Sequence, residues 1–256
     1  MLEGNALKNE IKRLAAEYVK NYQEEKALPN LWRTPLVGFA DAFDPYIQNL
    51  KNVVDECHKM PQDFMDNPKV VISYFIPFTK ELAATNVNIP DNTASKEWSA
   101  AYKTTNKMMG ELNEYLAEKL NEMGYRAVVP TGVGMIEEII KSNWSQRHLA
   151  YAAGLGTFGI NNMLISKEGC CGRYNSIVAD IPIEPEKALE KENCLYKSKG
   201  LCKKCVQNCF SGALTVDGFN REKCYETCKV NLGFYGVDVC GKCDTNIPCA
   251  FTAPGK

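Results

Sequence analysis

The chemistry open to this chain is concentrated in its cysteines: there are 12 in 256 residues, and nine lie between Cys194 and Cys249. They are spaced Cys194-x7-Cys202-x2-Cys205-x3-Cys209, then Cys224 and Cys228, then Cys240-x2-Cys243-x5-Cys249. Two-cluster bacterial ferredoxins carry a CxxCxxCxxxC run whose fourth cysteine ligates the other cluster. The first block here is that run with a longer first gap, and Ser211-Gly212-Ala213-Leu214 resembles the turn that follows it. A [4Fe–4S] cube needs four thiolates at its corners, so a CxxC loop wraps one face and a distant cysteine closes the site. On this basis Cys194, Cys202, Cys205 and Cys249 are expected to hold one cluster, and Cys209, Cys224, Cys240 and Cys243 a second. Cys228, four residues beyond Cys224, can replace it. Paired structural zinc sites, each with four cysteine ligands, share such spacing. Redox disulfides share it too, but a reducing cytosol disfavours them and nine clustered cysteines exceed their need.

Composition excludes several classes. The formal net charge of −1 lacks the basic excess of a dedicated nucleic-acid binder. An apolar content of 45% is too high for intrinsic disorder. The best apolar run, Val70 to Phe78, is far shorter than the roughly 18 residues of a membrane span. The opening MLEGNALKNEIKRL is charged where an export signal needs apolar residues, so a cytoplasmic protein is expected, without membrane or nucleic-acid partners. From residue 190 onward there are 10 Lys/Arg and 7 Asp/Glu. That excess would partly offset the charge of roughly −4 on two oxidised clusters with their thiolates.

The elements that must position the cysteines fall into two parts. Residues 1–189 read as alternating helices and strands, an α+β domain with helices packed on a sheet. Leu7, Ile11, Leu14, Ala15, Tyr18, Val19 and Tyr22 recur at helical spacing. Val70–Ile76 suits a buried strand, and the polar stretch after it reads as a loop. A long helix is expected over residues 97–123, stopped by Gly124, then strands near residues 126–129, 163–166 and 176–180. A helix capped by Ser142 should cover residues 143–153. After Pro182 and Pro185, residues 190–256 hold few large aliphatic side chains, and a small domain of that kind needs a staple.

The segment from Ser145 to Asn161 (SQRHLAYAAGLGTFGIN) resembles the R-x-x-A-x-x-A-G-L-G-x-x-G-x-N segment of the epoxyqueuosine reductase and reductive dehalogenase superfamily. A strand ending in D-x-P follows at Asp180-Ile181-Pro182, then the double-cluster cysteines with Arg221-Glu222-Lys223-Cys224, all in the family's order. The resemblance spans residues 97–250. It implies a nitroreductase-like sheet domain that holds cobalamin or a flavin, with Gly154, Gly156 and Gly159 approaching it, and a ferredoxin-like module that feeds it electrons from a ferredoxin- or flavodoxin-type donor. Where epoxyqueuosine reductases carry a catalytic Asp in V-D-x-x-P, this chain reads Ile139-Ile140-Lys141-Ser142-Asn143, and no tRNA-gripping repeats precede Lys256. The nearest likeness is to short double-cluster proteins of this superfamily in anaerobes, and the expected function is a reductase other than epoxyqueuosine reductase. The alternative is an electron-transfer protein whose first domain binds a partner and no second cofactor.

Other residues invite blander readings. Gly154-x-Gly156-x-x-Gly159 matches the dinucleotide fingerprint in letters only, because it follows a helix instead of opening one. Cys170-Cys171 and Cys57-His58 are expected to be bystanders, and Trp98, Trp144 and Met108-Met109 core. His148, Glu137, Glu138, Tyr102 and Tyr151 are candidate proton donors.

Overall fold

The computed structural model describes residues 2–89 and 93–255. Helix α1 (Gly4–Glu25) buries the stripe read from the sequence, from Leu7 to Tyr22. Strand β1 (Leu36–Asp41) leads through the short helices α2 (Pro45–Gln48) and α3 (Leu50–Val53) to β2 (Val70–Pro77). Then come α4 (Lys80–Thr85), α5 (Lys96–Glu122), β3 (Arg126–Val128) and a small hairpin of β4 (Met135–Ile136) and β5 (Lys141–Ser142). Helix α6 (Gln146–Ala152) precedes β6 (Gly156–Phe158), β7 (Leu164–Ser166) and β8 (Gly172–Asp180). The cysteine-rich remainder carries α7 (Leu195–Lys199), α8 (Lys204–Asn208) and α9 (Arg221–Tyr235).

The main sheet has the order β1-β2-β8-β3, with every neighbouring pair antiparallel. Strand β2 is buried along its whole length because both faces are covered. Alternation sends Val70, Ile72, Tyr74 and Ile76 into the core shared with α1 and α5. Val71 goes to the opposite face with Leu149 and Ala152 of α6, and with Trp144. Each such aliphatic side chain contributes about 1.5–3 kcal/mol by leaving water. Two polar pairs are buried in this core: Tyr74 Oη donates to Asn113 Oδ1 at 2.6 Å, and Trp32 Nε1 to Thr105 Oγ1 at 2.8 Å.

Two expectations about local structure need correction, and one helix lies where the sequence reading placed none. The polar stretch after Pro77 contains α4, because Thr79 caps it by accepting from Leu82 N–H. Helix α6 begins after Ser145, since Ser142 instead closes a tight turn by accepting from Trp144 N–H. Helical structure also returns late in the chain as α9, whose first turn is capped by Asn220. Its weak periodicity hides it, for the polar Asn231 is its buried residue. Asn231 Oδ1 accepts from Ala94 N–H, and its Nδ2 donates to Val239 O.

Cys194, Cys205, Leu214, Val237, Val239, Ile247 and Ala250 belong to the same apolar cluster as α1 and α5. The cysteine-rich segment therefore draws on the core of the sheet and its helices for its packing. Among the described residues, no helix is long and apolar enough to cross a membrane.

Candidate functional site

Folding gathers the cysteines into two groups. Cys194, Cys202, Cys205 and Cys249 line one cavity, walled by Ile160, Ile165 and Ile247. Cys209, Cys224, Cys240 and Cys243 line another, and Cys228 lines it with them. Among the described residues, no three His, Cys, Asp or Glu side chains converge to hold one metal ion. The thiols surround two spaces instead.

Burial sets the state of these thiols. It pushes Cys205 up to about 12 and Cys240 up to about 11, and it raises Cys243 as well. Thiols of this kind stay protonated until a cation takes the proton's place. Cys224 differs, since a hydrogen bond from Cys228 brings it down to about 7, with Arg221 and Arg147 adding to the effect. Leu214 N–H donates to Cys209 Sγ at 3.3 Å, the kind of contact that stabilises negative charge on a ligating sulfur.

Residues 1–189 position the cysteine segments through contacts that spacing did not reveal. Asn86 Nδ2 donates to Cys240 O at 2.8 Å, and Asn161 Nδ2 donates to Cys243 O at 2.8 Å. Cys170 and Cys171 N–H donate to the carbonyls of Cys249 and Ala250. The Cys170 thiol is also hydrogen-bonded to Cys249, which holds Cys249 below its ordinary value. Cys170 is thus a neighbour of the first group, and the same hydrogen bond together with burial holds its own thiol well above the ordinary value. The available signal was Asn161, the closing residue of the glycine segment; Asn86 lay in a polar stretch with nothing to single it out.

The second cavity reaches the sheet half through Trp98, Tyr102, Met163 and Arg173. Gly241 lies so close to the Trp98 indole that a Cβ there would overlap it. Arg173 stacks over the Tyr102 ring at 4.2 Å. Asp244 also faces this cavity, and burial raises its carboxyl to about 7 against the opposing pull of Arg173 and Arg147.

The three glycines expected to approach a cofactor are packed against the protein itself. A Cβ at Gly154 would meet Lys187 O, one at Gly156 would meet Ile165 O, and one at Gly159 would meet Asn161 Oδ1. Gly154 also adopts φ +70°, a helix-ending conformation that favours glycine. It borders a cavity of about 840 Å³ beside the start of β1, with Arg33 and Lys187, while Gly156 and Gly159 are buried.

Of the candidate proton donors, Tyr102 reaches the second cavity, whereas Glu137 and Glu138 are exposed on the β4–β5 hairpin. His148 packs on Phe158 and pairs with Ser145 Oγ through Nδ1 at 2.7 Å. Burial pushes it down to about 4, and Arg147 adds to this. His58, also buried, is lowered by desolvation, and its Nε2 accepts from Ser145 N–H. Both histidines are neutral when folded, whereas unfolded histidine takes up a proton near about 6.5. Their contribution is complete above that pH and is lost as pH falls toward 4. Asp244 works in the opposite direction over the same window, so the check compares His148→Gln with the parent chain. Between pH 7.5 and 5 the parent should lose about 2 kcal/mol more than the variant in urea denaturation.

Among solved structures, the fold is similar to those of epoxyqueuosine reductases and reductive dehalogenases. The epoxyqueuosine reductase of Streptococcus thermophilus matches with a TM-score of 0.56 at 17% identity, covering 95% of this chain and 66% of that one. A catabolic reductive dehalogenase bound to 3-bromo-4-hydroxybenzoic acid gives 0.58 at 15% identity, covering 81% and 28%. A reductive dehalogenase described with B12-dependent dehalogenation gives 0.50 at 15%, covering 70% and 23%. This chain therefore spans just under two thirds of the length of the epoxyqueuosine reductases it matches. No protein-family model matches the sequence, and no curated protein does.

Proposed function

We propose that this chain is an iron–sulfur oxidoreductase that holds two [4Fe–4S] clusters, one on Cys194, Cys202, Cys205 and Cys249 and one on Cys209, Cys224, Cys240 and Cys243. The observation that carries this reading is the sorting of the cysteines into two cavities, each lined by one expected set. The donor chemistry fits, with four thiols available for each cluster. Such clusters supply one-electron storage and transfer. The chain's own residues exclude water from the sites with Ile160, Ile165 and Ile247 on one side and Trp98 and Tyr102 on the other. Asn86, Asn161 and the Cys170–Cys171 backbone hold three of the ligating segments in place.

Both cavities border the sheet half, but the second alone meets a phenol and a guanidinium there, so we propose that reducing equivalents leave by it, toward Tyr102 and Arg173. Similarity of fold to reductases supports an organic acceptor. Epoxyqueuosine is not that acceptor in this reading, because Ile139–Asn143 carries no acid. The resemblance implies a corrinoid or a flavin; of the three glycines Gly154 borders the large cavity beside β1, whereas Gly156 and Gly159 are buried. In the second reading, an electron-transfer protein without a further cofactor, Gly156 and Gly159 serve packing alone.

Anaerobic purification with iron, sulfide, zinc and cobalt analysis tests the proposal. About eight iron and eight sulfide per chain are expected, with broad absorbance near about 400 nm. Two zinc and no sulfide would overturn it. A spectral shift or thermal stabilisation on adding hydroxocobalamin would decide for the corrinoid reductase over the second reading.

A further inference from the structure

The chain has three tryptophans, and folding buries them all. Two of their indole N–H groups have acceptors in the protein: Trp32 Nε1 donates to Thr105 Oγ1 at 2.8 Å, and Trp144 Nε1 to Ser176 Oγ at 3.0 Å. Trp98 Nε1 is equally buried and has no hydrogen-bond partner among the described residues. A buried indole N–H ordinarily finds an acceptor, so an orphan of this kind points to a group that the chain itself does not supply. The ring is held firmly. Trp98, on α5, is 3% exposed, and Phe78 packs edge-on against it at 5.2 Å.

The polar edge of this indole is turned to the cysteines. Trp98 lines the second cavity with Cys209, Cys224, Cys240 and Cys243. Gly241, in the loop between Cys240 and Cys243, adopts φ +75°, and a Cβ there would lie 2.6 Å from Trp98 Nε1. The missing side chain lets the turn that carries both thiols close onto the N–H edge. Among the described residues, no tryptophan lines the first cavity.

We propose that the Trp98 indole N–H donates a hydrogen bond to sulfur in the second site, either on the cluster or on one of its thiolates, and so sets that site's reduction potential apart from the first. The proposal rests on the iron–sulfur reading above and adds a residue that makes the two sites unequal. Donation to sulfur stabilises the more negative, reduced state more than the oxidised one. Trp98 therefore raises the potential of the second site alone. Electrons are then drawn from the first site toward the one beside Tyr102 and Arg173.

The test is a reductive titration of the anaerobically purified chain, followed by EPR, with iron, zinc and sulfide counted in every sample. The couple that Cys243→Ser abolishes belongs to the second site. In Trp98→Phe that couple should shift about tenfold toward the oxidised state, about 59 mV downward for one electron. The other couple should stay where it is, and Trp32→Phe should move neither. A second measurement needs no variant to fold. With the indole nitrogens enriched in the heavy isotope, pulsed EPR of the reduced parent chain should show a nitrogen coupling at the second site, and Trp98→Phe should lack it. An unshifted second couple in a Trp98→Phe chain with full iron would overturn the proposal. Absence of the coupling in the parent would overturn it too, since the N–H would then serve water or Asp244 Oδ1, another buried atom at this cavity without a partner. Equal shifts of both couples would also sink it, because the ring would then act only by keeping the fold closed. Zinc without sulfide would bring down the iron–sulfur reading itself, a failure that the metal count tells apart from the others.

Discussion

Cys205→Ser is expected to lower the iron content from about eight to about four per chain and to leave the remaining cluster redox-active. The argument starts from burial. Cys205 is 7% exposed and lines the first cavity with Cys194, Cys202 and Cys249. It also sits in the apolar cluster that runs through α1 and α5. Serine keeps the volume nearly intact but leaves a hydroxyl that ligates iron poorly in a buried site. The loss should spread beyond the site, because ligation free energy is folding free energy for a segment with little core of its own. Thermal unfolding should therefore show an early transition confined to the cysteine-rich segment, with the sheet half melting later. Cys243→Ser should remove the other cluster, and Cys57→Ser, which touches neither cavity, should keep all the iron. Full iron in Cys205→Ser would refute the ligand assignment. Cys228→Ser should keep eight iron if Cys224 is the ligand; loss of four would exchange their roles.

Part of the cysteine grouping was legible: short gaps such as Cys202-x2-Cys205 and Cys240-x2-Cys243 keep two thiols on one turn, where both line the same cavity, whereas the division between Cys205 and Cys209 appears only on folding. The main helices and β2 were legible for a related reason. A stripe such as Leu7–Ile11–Leu14 or a run such as Val70–Ile76 answers to a single face or a fully covered sheet. What stayed hidden lacks such a period. Helix α9 is anchored by one buried asparagine, so its pattern is nearly flat. Strand β1 reads LVGFAD and contains Gly38, whose missing Cβ makes room for Ala153 O and the Leu155 side chain, a contact that exists only after folding. The glycine segment was legible as unusual but not in its purpose. A glycine needed for contact with a ligand and one needed for contact with the protein's own carbonyl look alike in sequence.

The same principle yields a second large effect, at a glycine that no motif marks. Gly169 adopts φ +85°, and a Cβ there would overlap the carbonyl of Ala250. Just beside it, Cys170 and Cys171 N–H hold the carbonyls of Cys249 and Ala250. Gly169→Ala should therefore push the last cysteine segment off the sheet half. The left-handed backbone costs an L-residue about 1–2 kcal/mol, and forced overpacking about 1–3 kcal/mol more. A destabilisation of about 3 kcal/mol is expected in urea titration, with loss of the cluster that Cys249 serves. Asn161→Ala provides the contrast. It strips the donor from the part-buried Cys243 O at a cost of about 1 kcal/mol; Asn161 borders both cavities, but its 2.8 Å hydrogen bond is to the Cys243 segment, so the other cluster should weaken most. If each substitution depletes about four iron and the spectra of the survivors differ, the sheet half governs the two sites through separate contacts. If both variants lose iron equally from both sites, the cysteine-rich segment responds as one unit, and separate control by Gly169 and Asn161 is wrong.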